Sequence, residues 1–151
     1  MTTAHRRAAV RIRRAEERDA ADLAGLSGQL GYPATPEQIR DRLRKIVPSP
    51  KDAVYVAEAE DGSVIGWVHV SANHLLESGT RAEINGLVVD ESKRSLGAGK
   101  RLLEEAEGWA RAQGCETVNL RSNIIRERAH GFYLRNGYEH YKTQKAFRKK
   151  P

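Results

Sequence analysis

Between Ala53 and Ala110 the chain changes hydrophobic period once, and that change limits its fold more than any other feature. Before it come three strand-like stretches, Ala53–Ala59, Val64–Ser71 and Glu83–Val89, rich in β-branched residues at two-residue spacing. The first two are joined by Glu60-Asp61-Gly62-Ser63, a turn sequence that predicts a β-hairpin. After it, Leu102, Leu103, Ala106, Trp109 and Ala110 recur at helical spacing, and Gly114 closes the segment. Between strand and helix lies the glycine-containing turn Arg94-Ser95-Leu96-Gly97-Ala98-Gly99-Lys100. A further strand follows at Glu116–Arg121. Strand, helix, strand in that order predicts a parallel crossover.

The flanking segments complete the pattern. Val10 to Arg14 alternates apolar residues with Arg, as a half-buried strand does. With Asp19 as N-cap, Leu23, Leu26 and Leu30 fall on one helical stripe that ends at Gly31. Thr35-Pro36-Glu37-Gln38 is a helix start with a capping box. Ile39, Leu43, Ile46 and Val47 then share a face until Pro48 and Pro50. A polar loop holding His74 and Gly79 precedes Glu83. A late helix spans Arg126–Asn136 and stops at Gly137, and the tail, Tyr138 to Arg148, is expected to form two short strands. The order is βααβββαβαββ. It predicts an α+β fold with a mixed, mostly antiparallel sheet and helices on both faces. At 151 residues the chain is expected to be one domain, 1–151.

Composition removes several classes. The chain is 39% hydrophobic and 30% charged, which suits a globular protein. Apolar runs such as Leu87-Val88-Val89 are too short to cross a bilayer. Arg6 and Arg7 are followed by no apolar core of a secretory leader, so a cytoplasmic location is expected. The single cysteine, Cys115, has no partner for a disulfide or a zinc pair and reads as a small buried strand residue. The net charge of +6 gathers at the chain ends and would suit nucleic acid or simple solvation. With two Phe and two Trp, and no aromatic–basic interleaving, a base-stacking surface is disfavoured. A polyanionic ligand accounts for part of the charge.

The turn at Arg94–Lys100 suits such a ligand. Gly97 and Gly99 let successive N–H groups curl toward one point, and the following helix aims its unpaired amides and positive dipole end there. Arg94 and Lys100 add charge. The segment lacks the Lys-Ser/Thr ending of a P-loop and the spacing of a dinucleotide fingerprint. A tight connection with no ligand is the plain alternative.

The wider pattern resembles the GNAT superfamily of N-acetyltransferases. Leu87-Val88-Val89-Asp90, the R-x-x-G-x-G run from Arg94 to Gly99 and then Lys100-Arg101-Leu102-Leu103 are similar to its acetyl-CoA motif A. Arg126-Glu127-Arg128-Ala129-His130-Gly131-Phe132-Tyr133 with Asn136-Gly137-Tyr138 is similar to motif B. The resemblance implies acetyl-CoA as cosubstrate and an amine acceptor, either a small molecule or a protein amine, and a homodimer paired through the tail strands. It implies that Leu87, Val88 and Val89 meet the pantetheine arm where two strands splay. Gly86 offers a local reason, since a glycine inside a strand often marks a bulge. It further implies that Arg94, Ser95, Leu96, Gly97, Ala98, Gly99 and Lys100 hold the pyrophosphate. The family commonly places a cofactor-contacting Asn where this chain has Arg126, so Arg126 or the earlier Asn123 takes that role.

Acetyl transfer to an amine needs a neutral amine, a stabilised oxyanion and a leaving thiol. An alkylammonium of pKa about 10.4 is almost wholly protonated at pH 7, so a base helps. Glu83, eleven residues before Arg94, takes the position of the catalytic glutamate in the family's histone-acetyltransferase branch. Strand alternation sets Asn85 on the same face, where it would orient water or the amine. The backbone N–H near Val88 is the expected oxyanion donor. Tyr133, at the motif B tyrosine position, is the expected proton donor to the leaving sulfur. His69, His74 and His130 stand as alternative bases, and His74 also as a substrate contact.

Overall fold

The computed structural model describes residues 10–151, so Arg6 and Arg7 lie outside the described residues. Two compact units are present, one ending at Arg121 and the other spanning Ser122–Pro151. The first holds β1 (Arg11–Arg14), α1 (Ala20–Leu30), α2 (Pro36–Ile46), β2 (Asp52–Glu58), β3 (Val64–Leu75), β4 (Gly79–Val89), α3 (Ala98–Ala112) and β5 (Val118–Leu120); the second holds α4 (Glu127–Arg135). The sheet runs β1-β2-β3-β4-β5. Its first four strands are antiparallel, and β5 joins β4 in parallel through the α3 crossover. This is the expected α+β architecture.

Each sheet face is covered for a reason visible in the strands. Val54 and Val56 of β2 and Val88 of β4 share a face and pack with Leu23 and Leu26 of α1 and Ile39 and Leu43 of α2. The alternate residues face α3, whose Leu102 and Leu103 are fully buried. Replacing either by Ala would cost about 2–5 kcal/mol. The α2 start is built as its sequence predicts. Thr35 Oγ1 accepts the Gln38 N–H at 3.1 Å, and Gln38 Oε1 accepts the Thr35 N–H at 3.0 Å. Among the described residues no helix is long and apolar enough to cross a membrane.

Several local expectations are corrected. Asp19 does not cap α1 with its side chain. It closes a box on the preceding 3-10 turn, accepting the Glu16 N–H at 2.8 Å, and takes two hydrogen bonds of 2.9 Å from the Arg13 guanidinium. Val47 is exposed at the end of α2 rather than on its apolar face. The polar loop after Ser71 is mostly strand, since β3 and β4 extend as a hairpin to Leu75 and Gly79. Cys115 is half-buried in the turn after α3, outside β5, with its N–H bonded to the Ala110 carbonyl at 3.0 Å. The tail from Tyr138 forms no strand: Lys142, Lys145 and Arg148 interrupt every apolar alternation, and Tyr141 and Phe147 are exposed.

The Arg13–Asp19 pair is buried, with Glu58 adding a second carboxylate to Arg13 at 3.0 Å. Burial pushes the Asp19 carboxyl up, but the Arg13 hydrogen bonds and the Glu16 amide outweigh it and hold the pKa below its ordinary value. A depressed carboxyl contributes stability above its unfolded pKa and loses it as pH falls through the folded one. Asp19→Asn should therefore cost about 3 kcal/mol at pH 7, the low end for breaking a buried pair because Glu58 still holds Arg13. Urea unfolding should show that deficit shrink below about pH 4, the unfolded Asp pKa. A deficit equal at pH 7 and pH 3 would mean that packing, not charge, sets the loss.

Candidate active site

Strand β4 carries an irregularity where the sequence placed Gly86. His69 of β3 pairs with Gly86 while Val70 pairs with Ile84, so Asn85 is the extra residue of a β-bulge. The Trp67 ring lies over the bulge. A Cβ built on Gly86 would stand 2.6 Å from Trp67 Cη2, so only glycine fits there. On its other side β4 pairs with β5 only at Ala82, Glu83 and Ile84. Past Ile84 the two strands part, and among the described residues Leu87, Val88 and Val89 pair with β3 alone.

Beyond Val89 the chain builds a shaped turn. Asp90 Oδ1 accepts the Ser92 N–H at 3.0 Å and the Ser92 hydroxyl at 2.9 Å, and these bonds lower its carboxyl pKa. Gln29 Oε1 accepts the Glu91 N–H at 3.1 Å and ties the turn to α1. A 3-10 stretch, Glu91–Leu96, leads to Gly97 at φ 75°, a left-handed conformation suited to glycine. The first bond closing α3 runs from the Arg101 N–H to the Gly97 carbonyl at 3.3 Å. The amides of Ala98, Gly99 and Lys100 therefore precede any intrahelical acceptor. No acidic side chain occupies that first turn. Lys100 is exposed nearby, and Arg94 lies 4.0 Å from Glu91. Such a helix start can hold an anion.

Glu83 and Asn85 are brought together on the sheet face that carries Trp67. Asn85 Nδ2 donates to Ser71 Oγ at 2.9 Å, and Ser71 is the cross-strand partner of Glu83. Glu83 is 9% exposed, with the Arg121 guanidinium 3.9 Å from its carboxylate. His69 shares this face, and its Nε2 meets Asp52 Oδ1 at 2.8 Å while Asp52 Oδ2 accepts the Ser49 hydroxyl at 2.9 Å. His74 does not share it. It pairs with Thr80 within the hairpin, its Nδ1 2.8 Å from Thr80 Oγ1, and strand alternation turns it to the opposite face. Sequence reasoning missed Ser71, Arg121 and the Asp52 partner of His69. Ser71 alone had a signal, two residues beyond His69 on one strand.

The remaining expected residues belong to the second unit. Asn123 Oδ1 accepts the Ile125 N–H at 3.1 Å, and its carbonyl accepts the Arg126 N–H at 3.0 Å and lies 2.9 Å from His130 Nε2. Asn123 thus shapes the entry to α4, leaving Arg126 at the helix N-cap without a capping bond. Tyr133 sits inside α4 with edge contacts to Phe132 and Tyr138 at centroid distances of 5.4 and 6.0 Å. Burial raises its phenol pKa, with the positive charge of Arg126 pulling the other way. The phenol is protonated at neutral pH and available as an acid.

Comparison with known proteins identifies the family of the chain. The acetyltransferase (GNAT) family model matches residues 20–138. The chain is 38% identical over 95 residues to an aminoalkylphosphonate N-acetyltransferase of Salmonella typhimurium, covering 61% of this chain and 62% of that protein. It is 28% identical over 132 residues to a type 1 aminoglycoside N(6')-acetyltransferase of Stenotrophomonas maltophilia, covering 85% of each. The fold matches a solved aminoglycoside N-acetyltransferase in complex with CoA at a TM-score of 0.86 and 20% identity, over 98% of this chain and 99% of that one. The chain belongs to the acetyltransferase (GNAT) family, a family of acetyl-CoA-dependent N-acetyltransferases.

Proposed function

We infer that the chain transfers the acetyl group of acetyl-CoA to a primary amine of a small molecule by direct attack. One observation carries this: β4 bulges at Asn85–Gly86, parts from β5, and runs through the left-handed Gly97 into the open amides of α3. The parted edge at Leu87, Val88 and Val89 suits the pantetheine amides, as an added strand would. The turn from Arg94 through Ser95, Leu96, Gly97, Ala98 and Gly99 to Lys100 suits the pyrophosphate. Arg126, with no capping bond to make, is the better candidate than Asn123 for a further cofactor contact. Relatives named for aminoglycosides and for aminoalkylphosphonates support a small-molecule acceptor.

Acetyl-CoA supplies the activated acetyl thioester, and the residues of the chain move the protons. Glu83 takes the proton from the attacking amine, directly or through water, with Asn85 orienting it. Tyr133 returns a proton to the leaving sulfur. A backbone N–H near Val88, on the parted edge of β4, stabilises the oxyanion. The family match crosses from the first unit into the second, which supports one functional domain over 1–151. A cytoplasmic location and a homodimer complete the reading, and light scattering at working concentration tests the latter. The tail strands expected to pair in that dimer do not form.

Gly97 gives the direct test of cofactor binding. Acetyl-CoA or CoA should raise the melting temperature, because a ligand bound only by the native state stabilises it. Gly97→Ala adds backbone strain of about 1–2 kcal/mol at positive φ and should keep a ligand-induced shift. Gly97→Asp adds a carboxylate where phosphate must sit and should abolish the shift. Equal shifts in both variants would remove the pyrophosphate from this turn.

A further inference from the structure

Two arginines flank the one carboxylate assigned to the amine. Arg81 and Glu83 are two residues apart on β4 and lie opposite Asn73 and Ser71 of β3, so their side chains leave the sheet on one face. Asn119 of β5 lies beside Glu83, and Arg121, two residues further, emerges on that same face. Its guanidinium stands 3.9 Å from the Glu83 carboxylate, too far for a hydrogen bond, and 80% of its side chain is exposed. Arg121 is therefore only loosely held. Arg81 Nε is buried with no hydrogen-bond partner. No bond at that nitrogen ties the guanidinium to a neighbour, so Arg81, like Arg121, is free to turn to an added anion.

We propose that the acceptor amine carries an anionic group on a short spacer, held by Arg81 and Arg121 while Glu83 faces the amine. This rests on the acetyltransferase reading above and adds the substrate class to it. The amine's own charge is drawn to Glu83, and a carboxylate, sulfonate, phosphate or phosphonate two or three atoms away meets two guanidinium forks, which match such oxyanions in geometry and charge. A polycationic acceptor meets the opposite situation. It would set its extra ammonium groups against both arginines, on a chain of net charge +6. The next carboxylate along this face, Asp52, already has one oxygen on His69 and the other on Ser49, so it gives little to a second ammonium.

Thiol release from acetyl-CoA is measured with β-alanine, taurine, phosphoethanolamine, ethylamine and spermidine. The anionic amines should exceed ethylamine and spermidine in kcat/KM by about tenfold or more, the scale of a hydrogen bond to a charged group. Arg81→Met and Arg121→Met should each raise the KM for the best anionic amine by about ten- to a hundredfold. The KM for acetyl-CoA and the CoA-induced melting shift should stay near wild type, and Lys at either position should recover part of the loss. Spermidine or ethylamine leading the panel, or arginine variants that raise the KM for acetyl-CoA instead, would overturn the substrate class and leave acetyl transfer standing. Thiol release with no amine at all would overturn both.

Discussion

Tyr133→Phe should lower kcat by on the order of a hundredfold while leaving the KM for acetyl-CoA little changed. The substitution removes one oxygen and keeps the ring, so the edge contacts to Phe132 and Tyr138 survive. The melting temperature and its rise with CoA should therefore stay near wild type. What is lost is a proton donor whose pKa burial raises, so the phenol is fully protonated through the neutral range. A thioester whose thiol has a lower pKa needs that proton less and should recover part of the rate. Full activity in the Phe variant would make Tyr133 a packing residue of α4.

Glu83→Gln should lower the rate by roughly ten- to a thousandfold at neutral pH, within the range of general-base catalysis. The loss should shrink as pH approaches the amine pKa of about 10.4, because the amine then arrives neutral. Gln keeps the shape beside Ser71 and Asn85, so a CoA-induced melting shift reports that the site is intact. A loss that is equal at every pH would assign Glu83 to substrate binding instead. No loss at all would pass the base role to His69, which shares the face and is held by Asp52.

What could be foreseen from the residues follows how local each determinant is. The Thr35–Gln38 box spans four residues and forms as its sequence predicts. The α3 stripe at Leu102, Leu103, Ala106, Trp109 and Ala110 is buried throughout, because a helical period needs only an apolar surface to meet. Gly86 announced a bulge through its missing side chain alone. Asp19 misled because its side chain answers Arg13, a strand residue brought near by the fold. His69 and Asp52, seventeen residues apart, had no local sign of pairing. Nor had Arg121, which reaches Glu83 only through parallel pairing of β4 and β5. The resemblance supplied Tyr133 and the role of Glu83, which periodicity could not.

Acetyl transfer is measured most directly as thiol release from acetyl-CoA with the amine panel, with the product identified by mass. Amine-dependent release of one thiol per N-acetylated product is expected, saturable in both substrates and abolished by Gly97→Asp. Thermal stabilisation by CoA without amine-dependent release would instead describe an acyl-CoA-binding protein that performs no transfer. That result would contradict the roles assigned to Glu83 and Tyr133.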